Sequence, residues 1–276
     1  MKTLVLTDFS DVSKRALEYT LDLLVTKNSE DVTLAHVVSD AEKTSQAMTN
    51  FNTFMDGIPN PHGVVVKKEV LQGDLYDASG AFCNKHGYEM MVFGTHGARG
   101  LQKILGSHAV KLVQHTSAPV IIVQDEIHRD PDGIKQIALP LTLASEDKKM
   151  LAHVCRVAKI MGAMVEIIYH EKTDEYLART MMLNLKFTKN YLDREGVSFN
   201  INQVPSTENF DKQVVAISKE KSCDLIATVN HHEDGFMNLF GWSFDQNMIE
   251  NIAHIPVFTV DAQPAGEVGD IFSTTV

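Results

Sequence analysis

Between Gly94 and Ser107 the chain reads GTHGARGLQKILGS, four glycines in fourteen residues directly after the apolar run MMVF. Glycine gives up more backbone freedom on folding than any other residue, so such a cluster calls for a use. Gly94 and Gly97 leave main-chain N–H groups that a phosphate can approach without a Cβ in the way. Gly106 and Ser107 stand just ahead of a helical segment, whose first amides and positive dipole end attract anions. The Ser107 hydroxyl can donate to a phosphate oxygen, and Arg99 and Lys103 supply cations. His96 and His108 either contact phosphate or rim the crevice. Asp8, in the TDFS that ends the first apolar run, offers a carboxylate to a ribose hydroxyl or to a metal bridging phosphates. The plainer reading makes these glycines tight-turn residues, Ser107 an N-cap and Asp8 the cap of the following turn.

Short apolar runs alternate with segments of helical period around these residues. TLVL is followed by SDVSKRALEYTLDLL, where Ser10 or Asp11 can cap and Leu17, Leu21 and Leu24 share a face. Strands are expected at VTLAHVV, VVVKKEV, EMMVF and PVIIV, with helices near 40–56, 75–86 and 107–116 between them. Five strands separated by helices make a parallel sheet covered on both faces. In such sheets ligands bind beyond the carboxyl ends of the strands where strand order reverses, between the first and fourth strands. The TDFS turn and the glycine stretch would face each other there.

After QDEIHRDPDG the same order restarts. KQIALPL, MVEIIYH, VSFNINQV, DLIATV and IPVFTV are strands, Ser145 can cap EDKKMLAHVCRVAKIM, and helices are expected near 173–194 and 210–221. The endings APVIIV and IPVFTV correspond. The chain is a tandem duplication jointed near residue 130, with domains at 1–128 and 134–262 and a tail at 263–276. Each domain is a doubly wound, five-stranded parallel sheet. The two halves are expected to pack as an intramolecular pseudo-dimer; further homodimerisation stays open.

The second half departs from the first at the residues that matter. Val229 falls opposite Gly94, His232 opposite Gly97, Trp242 opposite Ser107 and Thr142 opposite Asp8, while Gly241 keeps the place of Gly106. Side chains would stand where phosphate needs bare backbone, so nucleotide binding is expected in the first half alone. His231, His232, Glu233 and Asp234 in NHHEDG are competent metal ligands if a third element such as His170 joins them; an exposed polar loop is the plainer reading.

Lysine plus arginine total 25 against 36 aspartate plus glutamate, a formal net charge of -11. That acidity opposes binding to nucleic acid or anionic lipid, and no apolar run approaches the length of a membrane span. MKTLVLTDFS reads as a strand, not a leader. Cys83, Cys155 and Cys223, widely spaced and odd in number, read as buried or free thiols of a reducing cytoplasm.

VLTDFS, TLAHVV and GTHGARGLQKILGSHAVKLVQHTSAPVIIV together resemble the universal stress protein family. That family carries a G-x2-G-x9-G-[S/T] nucleotide loop; Gly94, Gly97, Gly106 and Ser107 match it, with eight residues in place of nine in the gap. Leu6 stands where the family often has proline. The resemblance implies Rossmann-like, adenine nucleotide alpha hydrolase-like domains that bind ATP or a related adenine nucleotide, with or without Mg. It implies further that Thr7, Asp8 and Val37 line the adenosine while the loop holds the phosphates.

The chain shows no G-x-S-x-G, no H-E-x-x-H and no Walker GxxxxGK[ST]. A nucleotide-binding stress-response or signalling module is favoured over a slow hydrolase or transferase, with a nucleotide-independent scaffold as the third class. Gly97→Val, which copies the bulk found in the second half, should abolish nucleotide binding in a calorimetric titration and leave the fold intact.

Overall fold

The computed structural model describes residues 1–24, 31–95, 105–124, 133–144, 147–230 and 253–262. The first half runs β1 (Thr3–Leu6), α1 (Asp11–Tyr19), a π turn at Thr20–Leu24, β2 (Val32–Val38), a 3-10 turn at Ala41–Lys43 and α2 (Thr44–Met55). It continues with β3 (Val66–Gln72), α3 (Leu75–His86), β4 (Met90–Thr95), α4 (Leu105–Gln114) and β5 (Val120–Gln124). The second half repeats this order with β6 (Gln136–Leu141), α5 (Asp147–Met161), β7 (Met164–His170) and α6 (Glu175–Glu195). Then come β8 (Phe199–Val204), α7 (Phe210–Glu220), β9 (Leu225–Asn230) and β10 (Val257–Asp261).

Local chemistry sets these bounds. β1, β5 and β10 are buried along their whole length, as expected of strands covered on both faces. Ser10, Asp74, Asp174 and Asn209 cap α1, α3, α6 and α7 by accepting from amides of the first turn. Gly87 and Gly196 end α3 and α6 at φ of 63° and 69°, a left-handed stop that a side chain would strain.

All ten strands form one sheet, in the order β3-β2-β1-β4-β5-β10-β9-β6-β7-β8. Within each half the strands are parallel, in doubly wound order. The halves meet at β5 and β10, which pair antiparallel with Ile122 opposite Val257, Ile121 opposite Phe258 and Val120 opposite Thr259. Two sheets expected from the repeat are therefore two halves of one continuous sheet, since edge strands of β-branched residues leave unpaired ladder groups that each satisfies for the other.

The two faces of the sheet differ. On one, a single apolar core crosses the seam, from Val5, Leu17 and Tyr19 through Ile121 and Val123 to Ile137, Val154 and Phe258. On the other, separate clusters form around Met91, Leu112 and Val113 in the first half and around Ile168, Val214 and Ile226 in the second. Arg156 of α5 reaches across to the Glu89 carboxylate, whose other oxygen accepts the Lys2 amide at 2.8 Å. Cys83, Cys155 and Cys223 are all buried free thiols.

Because one sheet and one core span the seam, the two halves should unfold together. Phe258→Ala, at a fully buried position of β10, should cost about 3–5 kcal/mol in urea denaturation followed by circular dichroism. The loss should appear in one transition, not in the second half alone.

Candidate functional site

β1 pairs with β2 on one side and with β4 on the other, so strand order reverses between β1 and β4. A cleft of about 210 Å³ opens at the carboxyl ends of these strands, where doubly wound sheets take ligands. Leu6, Ala35, Val37 and Leu75 make an apolar wall, Phe93 and Gly94 border it, and Thr7, Asp8, Ser13 and Thr95 bring polar groups. Thr7, Asp8, Val37 and Gly94, singled out from the sequence, are thus gathered at one place.

The TDFS turn is held from several directions. Thr7 donates its amide to the Ala35 carbonyl at 2.9 Å and accepts from His36 Nδ1 on its own carbonyl at 2.7 Å. Its hydroxyl accepts the Phe9 amide at 2.9 Å and lies 2.9 Å from the Ser13 hydroxyl. Phe9 has φ of 66°, rare for a residue with a bulky side chain. Its ring packs 4.4 Å from His36, 5.2 Å from Phe51 and 5.6 Å from Phe54, centroid to centroid. That aromatic contact offsets the backbone strain and pins the turn to α2.

Asp8 lies exposed at the mouth of the cleft. One carboxylate oxygen accepts the Ser10 amide at 3.0 Å and the Ser10 hydroxyl at 2.5 Å. Partial burial pushes its pKa up, but the bonds from Ser10, with help from Ser13, outweigh burial and hold it below the ordinary aspartate value. Asp8 therefore stays ionised and aimed, and it also shapes the turn ahead of α1, as the plainer reading held.

Gly94 needs a correction. It lies within β4, opposite Val123 of β5, and not in the loop beyond the strand. A Cβ there would stand 2.5 Å from the Val12 carbonyl oxygen and 2.8 Å from its carbon. The glycine is required by the close approach of the first turn of α1, so packing explains it without a phosphate. Gly106, Ser107 and His108 fall within the first turn of α4, which begins at Leu105, two residues ahead of the expected start. Gly106 and Ser107 are among its first residues, whose amides lack intrahelical partners; the side chains of Ser107 and His108 lie outside the described residues. His96, Gly97, Arg99 and Lys103 also lie outside them, as do Ser145, residues 231–235 with His231, His232, Glu233 and Asp234, Gly241, Trp242 and the tail.

His170 is placed differently from a metal ligand in waiting. Its Nε2 donates to the Pro205 carbonyl at 3.1 Å, and its Nδ1 lies 3.3 Å from Lys172 Nζ. Among the described residues no group of three His, Cys, Asp or Glu side chains is arranged for a metal, and no helix is long and apolar enough to cross a membrane. Ser13, Ala35, Leu75, Phe93 and Thr95 are wall residues that pattern reading missed. Ser13 was accessible, since TDFSDVS repeats serine one helical turn after its cap; the others carry only an apolar or strand signal.

Asp8 titrates lower in the folded chain than in the unfolded one, so its contacts favour folding above the unfolded pKa. That contribution is lost as pH falls through the folded value. Ser10→Ala should raise the Asp8 midpoint toward the ordinary 3.8 in a carboxyl-carbon NMR titration. It should also cost about 1 kcal/mol through loss of the helix cap.

Comparison with known proteins agrees with this architecture. Residues 54–124 match the model of the universal stress protein family. A universal stress protein from Archaeoglobus fulgidus DSM 4304 superposes with a TM-score of 0.70 at 18% identity, covering 95% of this chain and 98% of that one. A functionally unknown protein from Pseudomonas aeruginosa PAO1 gives 0.57 at 14% identity, covering 94% and 92%. An Arabidopsis thaliana universal stress protein family protein solved with AMP bound is 26% identical over 48% of this chain and 98% of its own, with a TM-score of 0.34. No curated protein matches the chain. Residues 54–124 are accordingly similar to the universal stress protein family, and the chain as a whole shares the fold of the Archaeoglobus fulgidus protein.

Proposed function

We propose that the cleft between β1 and β4 binds an adenine nucleotide, ATP or a related adenylate, and that the chain is a stress-response or signalling module whose partners respond to its occupancy. The observation that carries this reading is the convergence of Thr7, Asp8, Val37 and Gly94 at the strand-order reversal of the family-matching half. The parts suit the parts of a nucleotide. An apolar wall of Leu6, Ala35, Val37 and Leu75 accepts a flat base, and the ionised Asp8 at the mouth accepts from ribose hydroxyls.

The amides opening α4 carry the partial positive charge that a phosphate seeks. The loop through Gly97, with Arg99 and Lys103, completes the phosphate side in this reading. A carboxylate oxygen suits Mg, which, when bound with the nucleotide, would offset phosphate charge beside Asp8. The family resemblance supports the same ligand class. Domains at 1–128 and 134–262 rest on the repeated order of elements, and binding in the first alone rests on the changes at Thr142 and Val229. A reducing compartment such as the cytoplasm fits the three buried thiols.

Purified full chain incubated with ATP and magnesium, then dialysed, separates the classes. One nucleotide retained per chain with negligible phosphate release is expected, and Asp8→Ala should weaken retention about tenfold or more. Steady turnover abolished by Asp8→Ala would make the protein a slow hydrolase. Neither retention nor turnover would overturn nucleotide binding and leave a scaffold.

A further inference from the structure

The second half repeats the strand registers of the first closely enough to match the two clefts residue by residue. The Lys2 carbonyl accepts the Glu89 amide, and the Gln136 carbonyl accepts the Asp224 amide. Thr3 lies opposite Val32 and Met90, as Ile137 lies opposite Val165 and Leu225. Ala35 and Val37 thus correspond to Ile168 and His170, and Gly94 to Val229. Leu75 and Phe210 are each the first residue of the helix after the third strand of their half, directly after the caps Asp74 and Asn209.

At all four places the second half carries the larger side chain. Ile168, Phe210 and Val229 are buried. The His170 ring stacks on Phe210, 5.3 Å between centroids at an interplanar angle of 16°, which is the geometry a base would adopt on an aromatic wall. The edge of that ring is also satisfied. A carbonyl only accepts, so the bond to Pro205 puts the proton on Nε2, and Nδ1 faces the Lys172 ammonium as an acceptor. Burial and that ammonium favour the neutral imidazole.

We infer that the base slot of the second half is filled from within, His170 lying on Phe210 in the place of a ligand's ring, and that these two residues confine nucleoside binding to the first half. The inference rests on the function proposed above. It goes further, since it locates the exclusion at the base and not only at the lost phosphate contacts. A base entering this slot must displace a ring already stacked and hydrogen-bonded, whereas Val37 and Leu75 leave theirs open. The ribose side is kept in outline. Thr142 accepts the Ala144 amide at 3.0 Å much as Asp8 accepts that of Ser10, so an aspartate fits there.

The test uses full chain labelled on Ile, Leu and Val methyls and titrated with adenosine, which probes base and ribose slots without phosphate contacts. Native protein should show saturable shifts at Val37 and Leu75 and none at Ile168 and Val229. The variant Thr142→Asp/His170→Val/Phe210→Leu should gain saturable shifts at Ile168 and Val229, with affinity at least about tenfold above any native response there. A native-like spectrum without that gain, or native shifts at Ile168 and Val229 as strong as those in the first half, overturns the inference. Silence at Val37 in native protein would count against the first-half reading alone, because the second-half response still judges this one. Should the opened variant not fold, the reciprocal pair Val37→His/Leu75→Phe decides, read at the Leu6 and Val12 methyls that also line the first-half cleft: it should weaken the first-half response about tenfold, and unchanged binding there overturns the inference.

Discussion

The first turn of α1 lies so close to β4 that no side chain fits at Gly94, where even a single carbon would sit 2.5 Å from the Val12 carbonyl. That approach decides where the turn between β1 and α1 can run. It brings Ser13 within 2.9 Å of Thr7 and lets Phe9 reach the aromatic group on α2. With the turn held, Asp8 projects over the mouth of a cleft whose walls are strand ends. The cleft is a consequence of backbone packing, and its shape survives only while β4 carries no side chain at this point. In the second half the corresponding position of β9 carries Val229, a buried side chain where the first half has none.

The other constraint is the seam. A five-stranded half ends in β5, buried along its length and apolar on both faces, which could not stand exposed to water. Antiparallel pairing with β10 removes both edges at once and lets one core run under both halves. The remaining edges, β3 and β8, lie at opposite ends of the sheet. β3 carries Lys67 paired with Asp31, a charge of the kind that discourages further strand addition. Duplication therefore does structural service at the seam, whatever each copy binds.

Much of this was legible in the residue order because parallel strands and their helices announce themselves through local periodicity. TLVL, VTLAHVV and MVEIIYH became strands at or within a residue of their expected limits, and Ser10 capped α1 as its position suggested. The seam was not legible as a sheet, since the apolar runs PVIIV and IPVFTV look the same whether they pair with each other or with another element. Gly94 was read for its chemistry when its reason is steric, because a contact with Val12, eighty-two positions away in the chain, leaves no local trace. The wall residues Ala35 and Leu75 carried no signal beyond being apolar. The stack of His170 on Phe210 joins the end of one strand to the start of a helix two elements later, which only the fold brings together.

The central claim is that an adenine nucleotide lies between the apolar wall and Asp8 at the reversal of strand order. A crystal of the full chain grown with ATP and magnesium tests it most directly. The account predicts density for a base against Val37 and Leu75, a ribose within hydrogen-bonding distance of Asp8, and phosphates directed to the first turn of α4. A nucleotide seated elsewhere, or a cleft closed by the chain's own side chains under saturating ligand, would contradict it.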